Sequence, residues 1–350
     1  VLWCVVFLAA QVIGFVVIGA AVLGIEALVS GAPGEFLDRE FNGTSGAFKA
    51  TPPGADRADV PVAMARAMAW GFFGAQVLSL ALILFILPRW IGRDWKRQIG
   101  VRRPAGLHVF LTVLVLPGFI ILSSGLGDLF IRWVGAKPIP GTEQLRGVFA
   151  VWPVWLAVLA VGVGPGIVEE LWCRGFLGRG LCARYGLVIG VLLTSILFAL
   201  LHLHPVHAII YAAMGGYLHF IYLCSRSIWV PILLHALNNG VAAFAELTGV
   251  LVQLNANPSG LSPVLYLAAG ALAVFVSVAF WTGRAVVQSY AVEKAGGPGL
   301  GWQPEYPMVS APPPGVEARI GYRTVSPVAV VNAVLAFGAV IYLLTLRGSG

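Results

Sequence analysis

Residues 154–178 read VWLAVLAVGVGPGIVEELWCRGFLG: an apolar run, an interruption at Gly162, Gly164, Pro165 and Gly166, then two adjacent carboxylates and an arginine. An apolar run of this kind suits a bilayer, whose hydrocarbon core of about 30 Å is crossed by roughly 20 helical residues. The stretch 149–183 that contains it is too long for one simple crossing. Proline removes a backbone donor and clashes with the preceding turn, so a broken helix is expected near residues 162–166. Inside a membrane, freed backbone groups are tolerated only where protein or a water-filled cavity covers them. Residues 162–170 are therefore expected to border a site.

The same apolar character extends in both directions. Of the 350 residues, 59% are hydrophobic and 11% charged, against roughly 25% charged in an ordinary soluble domain; one soluble core could not bury that excess. Spans are expected at 1–29, 60–88, 106–135, 149–183, 185–203, 206–224, 228–250, 262–286 and 325–346. The runs are continuous, not alternating as barrel strands are, so they predict helices. The expectation is an all-α polytopic transmembrane bundle of about 8–9 spans. It divides into N-terminal helices (1–148), a core (149–250), and C-terminal helices (251–350) with a Pro-rich loop at 287–324 that is expected to be irregular.

Charge orients the chain. The loop after the first span is polar and acidic (Glu35, Asp38, Glu40, Asp56, Asp59), whereas loop 89–105 carries Arg89, Arg93, Lys96, Arg97, Arg102 and Arg103 against Asp94. The positive-inside rule makes the basic loop and the N-terminus cytoplasmic. The net charge of +7 sits in such loops, where lipid headgroups account for it better than nucleic acid does. The four cysteines (Cys4, Cys173, Cys182, Cys224) show no CxxC pair and read as small apolar fillers. The first run reads as a span, with no convincing cleavage site after it.

Ionisable residues at membrane depth mark function or a structural pair. Glu170 and Arg174 are four apart in the favourable acid-first order. Glu169 points about 100° away around the helix and is the carboxylate left for chemistry. Two further polar clusters follow, Phe198 to His202 and His235-Ala-Leu-Asn238-Asn239, the latter placing His235 and Asn239 on one helix face. A lone histidine or asparagine on a membrane helix is ordinarily glue between helices; three clusters on neighbouring spans are not. If the chain reverses near Tyr185, Glu169 and His202 come to similar heights at about 1.5 Å per residue. A turn near Arg226 leaves His235 short of that level unless the intervening span is tilted or shortened.

These motifs resemble the CAAX-protease and bacteriocin-processing (CPBP) intramembrane proteases, which include the Ras-converting prenyl endopeptidases. Their signature, EExxxR, FxxxH and HxxxN in that order, is matched by Glu169-Glu170-Leu-Trp-Cys-Arg174, by Phe198 to His202 and by His235 to Asn239. The flanks Gly175-Phe176-Leu177 and Ser227-Ile228-Trp229 are also alike, while Cys173 stands where the family usually has Phe. The resemblance covers about 160–245. It implies an intramembrane endopeptidase in which Glu169 is the base, His202 positions water, and His235 and Asn239 bind the oxyanion. Glu170 and Arg174 support the motif helix, and Phe198 packs. Peptide hydrolysis needs such a base and such donors, and a poorly solvated glutamate is the more basic.

Other intramembrane chemistries lack their motifs: HExxH and GxSxG are absent, and Gly125-Leu-Gly-Asp128 has no second aspartate within a span. Glu169, His202 and His235 would be the ligands of a zinc ion, but the expected mechanism is metal-free, with no cofactor. The implied partners are the bilayer and a peptide or protein substrate, lipidated in some relatives. The expected location is a prokaryotic cell membrane. The competing reading is a non-enzymatic scaffold, immunity protein or transporter that uses the same polar residues as helix glue.

Overall fold

A computed structural model of the chain describes residues 2–50, 60–134, 152–203, 208–248, 263–291 and 316–322. Among these, the all-α membrane bundle is what forms. The helices are α1 (Leu2–Val29), α2 (Pro33–Ala50), α3 (Val62–Trp90), α4 (Trp95–Gln98), α5 (Gly106–Val134), α6 (Val154–Tyr185), α7 (Leu187–Leu201), α8 (Ala208–Ser225), α9 (Trp229–Thr248) and α10 (Pro263–Thr282). Six of them, α1, α3, α5, α6, α8 and α10, are long and apolar enough to cross a bilayer, while α7 and α9 are shorter apolar helices. The span expected at 325–346 lies outside the described residues.

Two compact units interleave along the chain. One comprises Val1–Ile86, Ile131–Glu169 and His235–Gly260; the other comprises Leu87–Phe130, Glu170–Leu234 and Leu261–Gly350. In the first, α1 and α3 meet backbone to backbone. A Cβ added at Gly14 would lie 2.6 Å from the Gly74 carbonyl oxygen, and one at Gly74 would lie 2.7 Å from that of Gly14. Lipid is as apolar as leucine, so membrane helices associate by close packing of small residues instead of by hydrophobic exclusion. The start of α6 joins the same unit. Trp152 Nε1 donates to the Ala65 carbonyl at 2.9 Å, and Leu156, Ala157 and Ala160 pack with Ala65 and Ala69.

In the second unit α5, α8, α9 and α10 share an apolar core that includes Val115, Phe119, Ile221, Leu234, Val276 and Phe280. Its basic loop is clasped to the α8–α9 turn. Tyr222 Oη donates to the Ile99 carbonyl at 2.9 Å, and Arg102 donates to the carbonyls of Ser225 and Arg226. These are the last carbonyls of α8, which lack intrahelical donors. Gly100 has φ +71, and a Cβ there would stand 2.7 Å from the Arg226 oxygen, so only glycine fits.

Three features depart from the expectations. The acidic loop after α1 holds an 18-residue helix, α2, started by Pro33 in the first turn and Glu35 beside the positive helix end. It is tied down by Glu40, whose carboxylate accepts from the Met64 amide at 3.3 Å. The Pro-rich region is flanked by paired strands, β1 (Ala285–Ala291) and β2 (Val316–Tyr322), antiparallel with Ala285 opposite Tyr322; the prolines between them lie outside the described residues. The third is α6, which is not broken. Its residues Val158–Val163 and Leu171–Gly178 adopt wider π turns around an α segment, Gly164–Glu170. A π turn shifts the carbonyl ladder just ahead of Pro165, so the ring is accommodated without ending the helix.

Replacing Gly74 by leucine is expected to destabilise the first unit by about 1–3 kcal/mol through overpacking. The same change at Gly24, where nothing lies within 4 Å of an added Cβ, is expected to leave it unchanged. Thermal unfolding of the two purified variants in detergent measures the difference.

Candidate active site

Small residues spaced four apart position the site. On α6, an added Cβ at Gly162 would lie 3.1 Å from Gly240 Cα, and one at Gly166 would lie 2.9 Å from Ala236 N. On α9, Ala236 and Gly240 are likewise four apart. The two backbones therefore touch along a stripe that runs antiparallel, 162 against 240 and 166 against 236. Glu169 continues the α6 stripe by one short step of three residues. His235 precedes Ala236 on the facing helix. Their side chains meet at 3.9 Å, Glu169 Oε2 to His235 Nε2, with exposures of 15% and 3% respectively. That distance exceeds a direct hydrogen bond and is one that a water bridges.

Asn239 lies one turn beyond His235. Its Oδ1 accepts from Asn238 Nδ2 at 3.1 Å. An amide whose oxygen accepts in this way still has its NH₂ group as a donor. The first unit thus gathers a carboxylate, an imidazole and an amide donor on two helices in backbone contact. Glu169 also sits midway along α6, about 22–24 Å from either end at 1.5 Å per residue.

The second unit holds the remaining motif residues. Glu170 Oε1 accepts from Arg174 Nη1 at 2.8 Å, and both side chains are fully buried. Arg174 Nη2 donates to the Gly215 carbonyl on α8 at 2.6 Å, and its guanidinium lies 5.0 Å over the Phe198 ring. Phe198 in turn meets the His202 ring edge-on at 4.8 Å, and its carbonyl takes a 2.9 Å hydrogen bond from His202 Nδ1. A carbonyl only accepts, so Nδ1 carries the proton and Nε2 is the acceptor of the neutral ring. Tyr211 stacks on the other face of His202 at 4.2 Å. From Glu170 to His202, each group fixes the next.

Phe198 is therefore more than packing: it is a platform for both Arg174 and His202. Sequence reasoning did not single out Tyr211, Gly215, Ala236 or Gly240. The small-xxx-small spacing of 162/166 and of 236/240 was the available signal for two of these positions. The height mismatch expected for His235 also has an explanation. Gly175 packs on Ile99, and Gly100 packs on Arg226, so the α8–α9 turn is level with Gly175 and not with Tyr185. Among the described residues, no three His, Cys, Asp or Glu side chains gather closely enough to hold a metal ion.

Residues 150–241 match the family described as Type II CAAX prenyl endopeptidase Rce1-like. The chain is also similar to the Bacillus subtilis (strain 168) protein named "Putative membrane peptidase YdiL", 26% identical over 179 residues that cover 50% of this chain and 70% of that protein. No solved structure matches. The matched segment contains both helices of the Glu169–His235 pair and the whole Glu170-to-His202 network. The chain is a multi-pass membrane peptidase whose residues 150–241 are similar to the Rce1-like family.

Removing Arg174 would leave Glu170 charged and buried, a loss of about 3–5 kcal/mol. Arg174→Met is expected to unfold at markedly lower temperature in detergent. Glu170→Leu combined with Arg174→Met is expected to recover most of that loss. The double-mutant cycle on thermal unfolding is the measurement.

Proposed function

We propose that this membrane peptidase hydrolyses a peptide bond of a membrane-borne substrate, lipid-modified or membrane-spanning, using water activated by Glu169. The observation that carries the proposal is the Glu169–His235 pair, 3.9 Å apart in mid-helix. A carboxylate at that depth is costly unless it has work or a partner. A substrate that reaches it must come from the bilayer.

In the proposed cycle, the Glu169 carboxylate takes a proton from water as the water oxygen attacks the scissile carbonyl carbon. The carbonyl electron pair moves onto oxygen. The resulting oxyanion accepts hydrogen bonds from Asn239 Nδ2 and from the His235 ring, donors fixed in advance by the α9 helix. Glu169, now a carboxylic acid, returns its proton to the nitrogen as the carbon–nitrogen bond breaks, releasing one new carboxyl group and one new amine. The motif resemblance adds His202 as the residue that positions water; within its own unit its Nδ1 is hydrogen-bonded to the Phe198 carbonyl. Glu170, Arg174 and Phe198 are positioning residues. No step runs through a metal or other cofactor.

Glu169→Gln is expected to unfold at the same temperature as the unaltered protein and to lose activity by roughly 10²–10⁴-fold. His235→Ala and Asn239→Ala are expected to lose on the order of 10²–10³-fold. Activity is read in proteoliposomes by mass-spectrometric comparison of membrane peptides with and without active protein. Undiminished cleavage by Glu169→Gln would remove the base from the scheme. Loss of activity on chelation, restored by added zinc, would remove its metal-free character.

A further inference from the structure

Three arginines converge where loop 89–105, the C-terminal end of α6 and the α8–α9 turn come together. Arg102 donates from Nη2 to the Ser225 carbonyl at 2.9 Å and from Nε to that of Arg226. Arg179, near the end of α6, donates to Gln98 Oε1 in the same loop. Ile99, the next residue, accepts from Tyr222 Oη at 2.9 Å, and the charges of Arg102, Arg226 and Arg179 all act on that phenol. The three guanidinium groups are thus gathered about one buried side chain, and all three arginines are half-buried. The acceptors of Arg102 and Arg179 named here are carbonyl and amide oxygens, which orient a guanidinium without cancelling its charge.

Charge balance calls for a partner of opposite sign. Residues 87–105, 175–190 and 222–232 hold nine cations, these three and six exposed ones (Arg89, Arg93, Lys96, Arg97, Arg103 and Arg184), against one carboxylate, Asp94. All of them lie in the second unit. The positive-inside rule accounts for the exposed six, since it needs only charge in a loop. It does not account for the inner three. Burial and then the charge of Arg102 push Arg226 below the usual arginine range. Arg226 also has φ +49, a conformation that glycine adopts freely and other residues only at a cost. Helices commonly end on a glycine for that reason. An arginine held in glycine's conformation beside another arginine points to a use for its side chain.

The bilayer supplies the anion. Trp90 and Tyr185 are exposed among these cations, and exposed aromatic rings of this kind mark the headgroup level. α3 ends at Trp90 and α8 at Ser225, so the arginines stand where two apolar helices leave the hydrocarbon. We propose that Arg102, Arg179 and Arg226 bind the phosphate of an anionic lipid headgroup, with the exposed cations drawing that lipid in from its leaflet. Guanidinium groups hold phosphate oxygens through paired, charge-assisted hydrogen bonds. One phosphate joins three elements whose charges otherwise repel. The site is independent of the reading of Glu169 as the base.

The test uses the full-length protein in detergent. Dioctanoyl phosphatidylglycerol is the probe, dioctanoyl phosphatidylcholine the control without net charge, and inorganic phosphate the free anion. Native mass spectrometry counts bound lipid and measures its affinity, and thermal unfolding reads the accompanying stabilisation. One equivalent of phosphatidylglycerol is expected to bind and to raise the unfolding temperature, whereas phosphatidylcholine at the same concentration leaves it unchanged. Arg226→Gln and Arg179→Gln are each expected to weaken phosphatidylglycerol binding roughly tenfold. Arg93→Gln and Lys96→Gln remove the same charge from the exposed ring and are expected to change it by less than about twofold. Without lipid, Arg226→Gln is expected to unfold at the same temperature as the unaltered protein or higher, because a repelling charge has gone. Arg179→Gln, which lies outside the turn, carries the comparison if Arg226→Gln does not fold. Equal losses from inner and outer substitutions, or equal stabilisation by the two lipids, would overturn the proposal in favour of diffuse surface attraction. Stabilisation by inorganic phosphate that matches that by phosphatidylglycerol would overturn it in favour of a soluble anion.

Discussion

The Glu169–His235 distance depends on how closely two backbones approach. Gly162 and Gly166 on α6 face Ala236 and Gly240 on α9 with no room for a larger side chain between them. A Cβ at Gly166 would force the backbones apart and one at Gly162 would crowd Gly240, and the 3.9 Å pair would open with them. Helix association in lipid comes from such packing and not from exclusion of water. The same glycines that look like helix breakers in an aqueous frame are thus what holds the site together in a membrane. Pro165, between Gly164 and Gly166, is absorbed by the π turn that precedes it, so the close approach survives an otherwise disruptive residue.

A second constraint separates two neighbouring carboxylates. Adjacent glutamates at membrane depth would repel each other if both were exposed to the same surroundings. One step along the helix turns them about 100° apart. Glu170 meets Arg174 at 2.8 Å with both side chains fully buried, whereas Glu169 meets an imidazole and keeps some exposure. A buried pair of this kind contributes little net stability but is expensive to disrupt. Its value lies in what it fixes: Arg174 also holds the Gly215 carbonyl and the Phe198 ring, and Phe198 orients His202. One carboxylate is spent on architecture, and the other is available for proton transfer.

Much of this was legible in the sequence because the bilayer leaves few alternatives. Continuous apolar runs predicted helices where α1, α3, α5, α6, α8 and α10 form, and the three polar clusters in order lie within the segment, 150–241, that matches an Rce1-like family. What was not legible was geometry created by small residues. Gly162 and Gly166 were read by their backbone freedom, not by their lack of side chain, so a break was expected where a contact exists. The level of His235 was misjudged because the α8–α9 turn is drawn inward by Ile99 and Gly100 from a loop 126 positions earlier than Arg226. α2 was hidden because its sequence is polar, although Pro33 and Glu35 are ordinary signs of a helix start.

Within α6, the departures from a plain membrane helix fall close to Glu169. The two π turns lie immediately on either side of the segment that bears it. The buried ion pair begins at the next residue. Stability is usually given up where a binding or reacting group has to be met. In α6 the irregular turns and the buried ion pair both adjoin the residue proposed as the base, which is a physical argument for chemistry there that does not depend on the motifs.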